Sequence, residues 1–423
     1  MAEEAEVNSV SGEEAVAQDP FLQTFASFGE GTQSKITTQS NGTKATVRAS
    51  WVLPGLLCQA RNVNNGCVVK IIAMDASAMD ASPYEMNPPP KGEIIDMKAS
   101  LRSKTVAVAP KDKSGPITLW GPDPDVQRFL FGHTVAVQAL EWSPCGNRLA
   151  SVAAADSKGT KFDFRKQLPF FINAFFPMCV RSGELEAYDS VGEVIVWDLE
   201  FLQPKFKYII ELPEGVKWES ESLRSICWSP ACSHLACGGT NTIYILDAAT
   251  GAVLSKAGDF DTGTYPTTLL WSPKSKSGDE FLVCGSSGDN KILSGSVEKE
   301  FGATTSKHLQ IWKLKYNNGH KHFEAIKCTL PDLPQKTVTC IDWATNDNGD
   351  LMLAAASPGD SLKVWRQIGD DPCSWKCVTV ADNGLEICSL SFLRKEEIAV
   401  SSPESKTNVL AVVTSQNTRR FDL

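Results

Sequence analysis

Short apolar runs, each closed by Gly, Pro, Asn, Asp or Ser, recur along most of this chain. Residues 137–142 form one such run, 148–153 a second and 193–198 a third. Ser143-Pro144-Cys145-Gly146-Asn147 joins the first two, with Pro and Gly punctuating the turn. Runs of this length, rich in β-branched and small apolar residues, predict strands. The stretch from Phe131 to Glu200 therefore reads as one four-stranded antiparallel unit. It opens on Gly132-His133 and closes on Trp197-Asp198.

The same rhythm predicts strands at 105–109 and 116–120 before this unit. After it come 222–228, 234–237 and 242–247, then 267–271, 280–284 and 308–314. Two more sets follow, at 337–343, 351–355 and 361–365, and at 386–392, 397–400 and 408–413. Nearer the N-terminus, 45–53 and 67–73 are strand-like, and Asn64-Asn65-Gly66 between them has hairpin chemistry. Residues 75–92, with Pro83 and Pro88-Pro89-Pro90, predict a loop, because proline cannot continue a sheet interior.

Aromatic residues mark fixed points of the repeat. Trp-Ser-Pro recurs at Trp142, Trp228 and Trp271, with Trp343 and Phe392 in the equivalent place. The last strands of the units end near Trp120, Trp197, Leu246, Trp312, Trp365 and Val412, at intervals of 77, 49, 66, 53 and 47 residues. One tryptophan in a strand is ordinary core; five aromatics at the same point of a recurring unit are an architecture.

A Gly-His start and a Trp-Asp finish resemble the WD-repeat family of β-propellers, whose usual period is about 40–45 residues. The resemblance implies an all-β fold, a single seven-bladed propeller over residues 44–423. Six blades are clear, and the 45–74 region supplies the seventh. A closing strand from the N-terminal segment would pin the ring shut. Residues 1–43, polar and rich in Glu, Ser, Gln and Thr, predict a disordered acidic and polar arm.

Two intervals are long for a reason visible in the sequence. About 33 residues, 160–192, intervene where Asp156 should turn directly into the strand at 193. They include Leu168-Pro169-Phe170-Phe171-Ile172-Asn173-Ala174-Phe175-Phe176, a composition unsuited to an exposed loop. About sixteen residues, 292–307, interrupt a later unit. The first insertion reads either as an aromatic docking loop or as intervening sequence translated into the chain, and composition favours the second.

Composition narrows the function. The net charge of −9 argues against a general grip on nucleic acid, which needs basic surface to neutralise phosphates. No run of 18 apolar residues predicts a membrane helix, and Met1-Ala2-Glu3-Glu4 lacks the basic and apolar regions of a secretory signal. The thirteen cysteines are scattered and odd in number, several within strand-like runs, such as Cys227, Cys237, Cys284, Cys340 and Cys388. Buried reduced thiols fit better than a disulfide framework, and imply cytosol or nucleus.

Little in the sequence points to catalysis. His133, Ser151 and Asp156 have the residue types of a hydrolytic triad, but no nucleophile elbow or Gly-rich oxyanion loop accompanies them. In WD-repeat blades such a His, a Ser or Thr, an Asp and the Trp make a structural hydrogen-bond network, and that reading is preferred. Cys373 and Cys377 have no second Cys or His pair at zinc-ligand spacing, and His320 and His322 sit in a polar loop without one. No Walker, GxGxxG or HExxH sequence occurs, so no cofactor is expected. Lys205 and Lys207, and Lys313, Lys315 and Lys321, form short patches that read as solvated strand faces, with RNA contact as the minority alternative. Trp197-Asp198 is followed by Leu199-Glu200, not by the x-Arg of the substrate receptors of cullin ubiquitin ligases.

Three places resemble one narrower group, the N-terminal propeller of the enhancer-of-decapping scaffold, called Varicose in plants. The first is Gly132-His133 and Gly192-Glu193-Val194-Ile195-Val196-Trp197, followed by Ile209-Ile210-Glu211-Leu212-Pro213-Glu214-Gly215 and Leu223-Arg224-Ser225-Ile226-Cys227-Trp228. The second is Ser374-Trp375-Lys376-Cys377, and the third is the C-terminal stretch from Val409 to Leu423. This resemblance implies a non-catalytic, cytoplasmic scaffold that brings decapping factors together in processing bodies. Two other classes stay open. One is a propeller subunit of a coat, nuclear-pore or chromatin assembly. The other is a propeller hydrolase, disfavoured because the innermost strands read as apolar and small. No membrane partner is expected, and nothing in the sequence sets an oligomeric state. The structural repeat positions are His133, Trp142, Asp156, Trp197, Asp198, Trp228, Trp271, Trp312, Trp343 and Trp365.

Overall fold

The computed structural model describes residues 33–34, 47–53, 56–63, 66–73, 84–85, 92–112, 115–121, 127–133, 135–154, 190–211, 223–239, 242–255, 266–286, 308–317, 319, 321–346, 348–357, 362–369, 371–380, 387–393, 409–414 and 418–422. Among them every regular element is a strand, and no helix is long and apolar enough to cross a membrane.

The strands form seven antiparallel sheets. After β1 (Gln33–Ser34), the first sheet holds β2 (Val47–Leu53), β3 (Leu56–Val63), β4 (Gly66–Ala73) and β5 (Tyr84–Glu85). The second holds β6 (Ile94–Ser100), β7 (Thr105–Pro110), β8 (Ile117–Trp120) and β9 (Gln127–Leu130). The third holds β10 (Val137–Trp142), β11 (Arg148–Ala154), β12 (Ser190–Asp198) and β13 (Gln203–Glu211). The fourth has three strands, β14 (Ser225–Trp228), β15 (His234–Gly238) and β16 (Ile243–Asp247), with a single bridge from Leu246 to Val253 at its outer edge. The fifth holds β17 (Pro266–Trp271), β18 (Glu280–Ser286), β19 (Leu309–Asn317) and β20 (His322–Cys328). The sixth holds β21 (Cys340–Thr345), β22 (Leu351–Ala356), β23 (Leu362–Gln367) and β24 (Trp375–Val380). The last joins β25 (Ile387–Leu393), β26 (Val409–Thr414) and β27 (Thr418–Asp422) to β1.

Six of these sheets are meanders of consecutive strands, blades in the propeller sense. The closing sheet is different, because it is composite. Gln33 pairs with Arg419 and Ser34 with Thr418, so both ends of the chain meet in it. Six meander blades thus stand where seven were expected, and the closing strand expected from the N-terminal segment is β1. The first strands lie side by side around a circle: β2 by β6, β6 by β10, β10 by β14, β14 by β17, β17 by β21, β21 by β25, and β25 by β2. They are the innermost strands.

The core lies between neighbouring sheets. Trp142, Leu149 and Trp197 of the third sheet pack with Ala107, Ile117 and Leu119 of the second. Trp51, Leu57 and Ile72 of the first pack with Leu393, Ala411 and Val413 of the last. Burial of these faces against each other supplies the main attraction between blades.

Several expectations need correction. Val63 of β3 pairs with Gly66 of β4, and β3 is a strand that the apolar pattern does not predict. Tyr84–Glu85 pairs with Lys70 and Ile71, inside a stretch read as loop. Strand β6 was also missed, because Asp96 and Lys98 break its apolar pattern. The fourth strands β9, β13, β20 and β24 lie at sheet edges, where half-exposed positions weaken the signal. Both insertions apart from 190–192, the predicted strand at 397–400, and the N-terminal arm apart from 33–34 lie outside the described residues.

Candidate functional site

The constellation built around His133 lies in the third blade. Gly132 and His133 follow β9 and precede β10, Ser151 is mid-strand on β11, and Glu193 and Trp197 are on β12. Register pairs Ser151 with Ile195 and Leu149 with Trp197. His133 Nε2 lies 2.6 Å from Ser151 Oγ, and Trp197 donates its indole N–H to the same oxygen at 2.8 Å. His133 Nδ1 lies 3.2 Å from Glu193 Oε2. Burial holds the His133 imidazole below its ordinary value, against the pull of Glu193. A neutral ring fits the geometry: Nδ1–H donates to the carboxylate, and Nε2 accepts from the Ser151 hydroxyl. Lys207 of β13 completes the cluster. Its ammonium lies 3.2 Å from Glu193 Oε1 and donates to the Gly132 carbonyl at 3.2 Å.

Glu193 lies against the imidazole, and the expected place of Asp156 in the network falls outside the described residues. Lys207 is a partner of this network rather than a solvated strand face. Ser151 is 0 % exposed, with its oxygen shared between His133 and an indole, so no substrate reaches it. The arrangement fastens the Gly132-His133 loop to the blade; it is not a nucleophile with its base.

The tryptophans at the ends of the innermost strands bind one sheet to the next. Trp142 donates its indole N–H to the Lys98 carbonyl at 2.9 Å, and Trp228 to the Glu141 carbonyl at 3.1 Å. Trp51, at the matching place in the first sheet, donates to the Ser391 carbonyl at 2.9 Å. In each case the acceptor lies on the preceding innermost strand. Trp271 donates instead to Glu280 Oε2 in its own blade, at 2.8 Å. Trp343 is buried against Trp375. Of the tryptophans on third strands, Trp312 is buried beneath Lys327, and Trp365 donates to the Pro331 carbonyl at 2.8 Å. Asp198 caps a turn by accepting from the Glu200 amide at 3.0 Å.

The innermost strands are not uniformly apolar and small, as had been expected. They carry Arg48, Asp96, Lys98, Glu141 and Asp342. Asp96 accepts from the Met97 amide at 2.9 Å and from the Leu140 amide of the next blade at 2.8 Å. Asp342 repeats this, accepting from Trp343 at 2.8 Å and from Phe392 of the next sheet at 2.6 Å. Lys98 pairs with Glu141 at 2.8 Å. The carboxylates thus strap adjacent sheets together, a use that the hydrolase reading did not anticipate.

The cysteines also differ from expectation. Cys328 and Cys373 form a disulfide, so Cys373 is not available to a zinc pair with Cys377. Among the described residues no group of three or more His, Cys, Asp or Glu is placed to hold a metal. His322 lies 3.9 Å from Glu324, and His320 is outside the described residues. Lys313 pairs with Asp279 at 2.8 Å, and Lys205 lies 3.8 Å from Asp198.

Comparison with known proteins agrees with this geometry. Residues 125–158, which hold His133 and Ser151, match the family described as WD domain, G-beta repeat. The chain is 23% identical over 254 residues to WD repeat-containing protein slp1 of Schizosaccharomyces pombe, covering 58% of this chain and 44% of slp1. It thus spans less than half the length of that relative. Among solved structures, the WD40 domain of Toxoplasma gondii coronin aligns with a TM-score of 0.55 at 14% identity, over 92% of this chain and 84% of that one. The fold is therefore that of an all-β propeller, and the segment from β9 to the end of β11 matches a WD repeat.

Proposed function

We propose that this chain is a non-catalytic interaction scaffold whose rigid ring presents loops to other proteins. The observation that carries the reading is the closed His133–Ser151–Trp197 network. The residues most like a hydrolytic set are consumed in holding a loop, while the ring itself is strapped blade to blade. We also take the composite sheet as the seventh blade, closed by the N-terminal strand.

The narrower proposal is a scaffold of the decapping-enhancer kind, cytoplasmic and in processing bodies, whose partners are mRNA-decapping factors. It is supported by the three segments that resemble that group. The test is affinity purification with mass spectrometry, using full-length chain and a form lacking residues 160–192. Enrichment of decapping factors on both forms is expected. Recovery of coat, nuclear-pore or chromatin proteins in their place would overturn the decapping reading and leave the scaffold reading standing.

A further inference from the structure

Two turns that join the first and second strands of adjacent blades bring a pair of thiols together. Cys145 lies in the Ser143–Asn147 turn of the third blade, and Cys232 in the matching turn of the fourth, 87 residues later. Cys232 Sγ lies 3.3 Å from Cys145 Sγ. Cys145 is exposed and Cys232 half-buried, whereas Cys58, Cys67, Cys227, Cys237 and Cys284 are buried. Cys145 Sγ also lies 2.8 Å from Asn147 Oδ1 and 3.2 Å from Ser143 Oγ.

We propose that Cys145 and Cys232 are a peroxide-sensitive dithiol, a modification site that closes reversibly to a disulfide between blades. Partial burial alone would raise the Cys145 thiol, but its hydrogen bonds with Ser143 and Cys232 outweigh this and hold it below its ordinary value. Burial and the contact with Cys145 push Cys232 the other way. Burial pushes Cys67 up to about 11, and Cys284 and Cys340 up to about 12. Cys145 is thus the attacking sulfur and Cys232 the resolving one.

The chemistry balances with hydrogen peroxide as oxidant. The Cys145 thiolate attacks one peroxide oxygen, the O–O bond breaks, and the other oxygen leaves as hydroxide, which takes a proton to become water. The sulfur is now a sulfenic acid. Cys232 sulfur attacks it, the S–O bond breaks, and the hydroxyl leaves with the Cys232 proton as a second water. Two thiols lose two electrons, and one peroxide is reduced to two waters. A dithiol reductant reverses the step by exchange.

The test is peptide mapping of the full-length chain after graded hydrogen peroxide and rapid alkylation. The expected result is a Cys145–Cys232 cross-linked peptide pair, forming at least about tenfold faster than modification of any buried cysteine and removed by dithiothreitol. In Cys232→Ser, Cys145 should accumulate as a sulfenic acid trapped by dimedone; in Cys145→Ser, Cys232 should stay reduced. Oxidation of Cys145 to sulfinic acid in the unsubstituted chain without a cross-link, or earlier cross-linking of another free pair, would overturn the proposal.

Discussion

Trp51 donates its indole N–H to the carbonyl of Ser391, 2.9 Å away and 340 residues later in the chain. This bond joins the first innermost strand to the last. Beside it, the Ala49 amide donates to Ser389 Oγ at 3.3 Å. Ring closure therefore has its own polar clasp in addition to the apolar contact of Trp51 with Leu393 and Val413. Trp51→Phe keeps most of the buried ring and loses the bond. It should cost about 1 kcal/mol in urea unfolding, whereas Trp51→Ala should cost about 3–5 kcal/mol. An unchanged midpoint for Trp51→Phe beside a large loss for Trp51→Ala would mean that the bond carries nothing separable from packing.

Asp342 and Asp96 are expected to act alike, since each carboxylate bridges two backbone amides across a blade junction. Alanine at either position strands those amides and should cost roughly 2–3 kcal/mol. Asparagine keeps one acceptor and should recover part of the loss. Unchanged denaturation midpoints for both alanine variants would remove the strap from the account of ring stability.

Ser151→Ala leaves His133 Nε2 and Trp197 Nε1 buried without the oxygen they share. A destabilisation of about 3 kcal/mol is expected, with Ser151→Thr close to the unsubstituted chain because the hydroxyl is retained. Chemical denaturation monitored by tryptophan fluorescence measures both. A neutral Ser151→Ala would contradict the structural role assigned to the hydroxyl.

Stability should fall on mild acidification. Burial lowers the imidazoles of His133 and His234 in the folded chain below the ordinary value of 6.5. Between the folded and unfolded values the unfolded chain binds more protons. The stabilisation is complete above pH 6.5 and is lost as pH falls through the folded values. Melting temperatures measured from about pH 7.5 to about pH 5.5, above most carboxylate titration, should decline. His234 packs against Trp271 and Phe323, so His234→Phe keeps a ring there and should flatten the decline. A melting temperature that rises on acidification would have the wrong sign for buried neutral histidines.

Gly251 sits at a φ of +73°, and a Cβ there would run into the Tyr208 ring. Tyr208 belongs to the outer strand of the third blade and donates its hydroxyl to the Ala248 carbonyl of the fourth at 3.3 Å. Gly251→Ala combines a left-handed backbone with this clash, and should cost roughly 2–4 kcal/mol. Pairing it with Tyr208→Ala should relieve the clash, so that the double variant loses less than the sum of the two singles. If the double variant is no better than the sum of the two singles, ring and glycine are not coupled.

Much of the blade pattern was legible because its causes are local. The alternation of apolar runs with Ser-Pro-Cys-Gly-Asn and similar turns located β10, β11, β14, β15, β21 and β22 close to their observed bounds. Strand β6 escaped notice because Asp96 and Lys98 face partners that other blades supply. Trp51 lies near the end of an equivalent strand, but no Ser-Pro follows it to mark it as Trp142 and Trp228 are marked.

The sequence by itself determined that the chain would alternate strands and turns, and that tryptophans would recur at fixed points of the repeat. Side-chain alternation and turn chemistry act over a few residues and need no distant partner. Tertiary structure alone decided who those tryptophans bond to, that Glu193 holds His133, that Cys328 meets Cys373, and that Cys145 lies against Cys232. Each of those contacts joins positions far apart in the chain. Their pairing is set by where closure of the ring places neighbouring sheets, a constraint that local spacing does not carry.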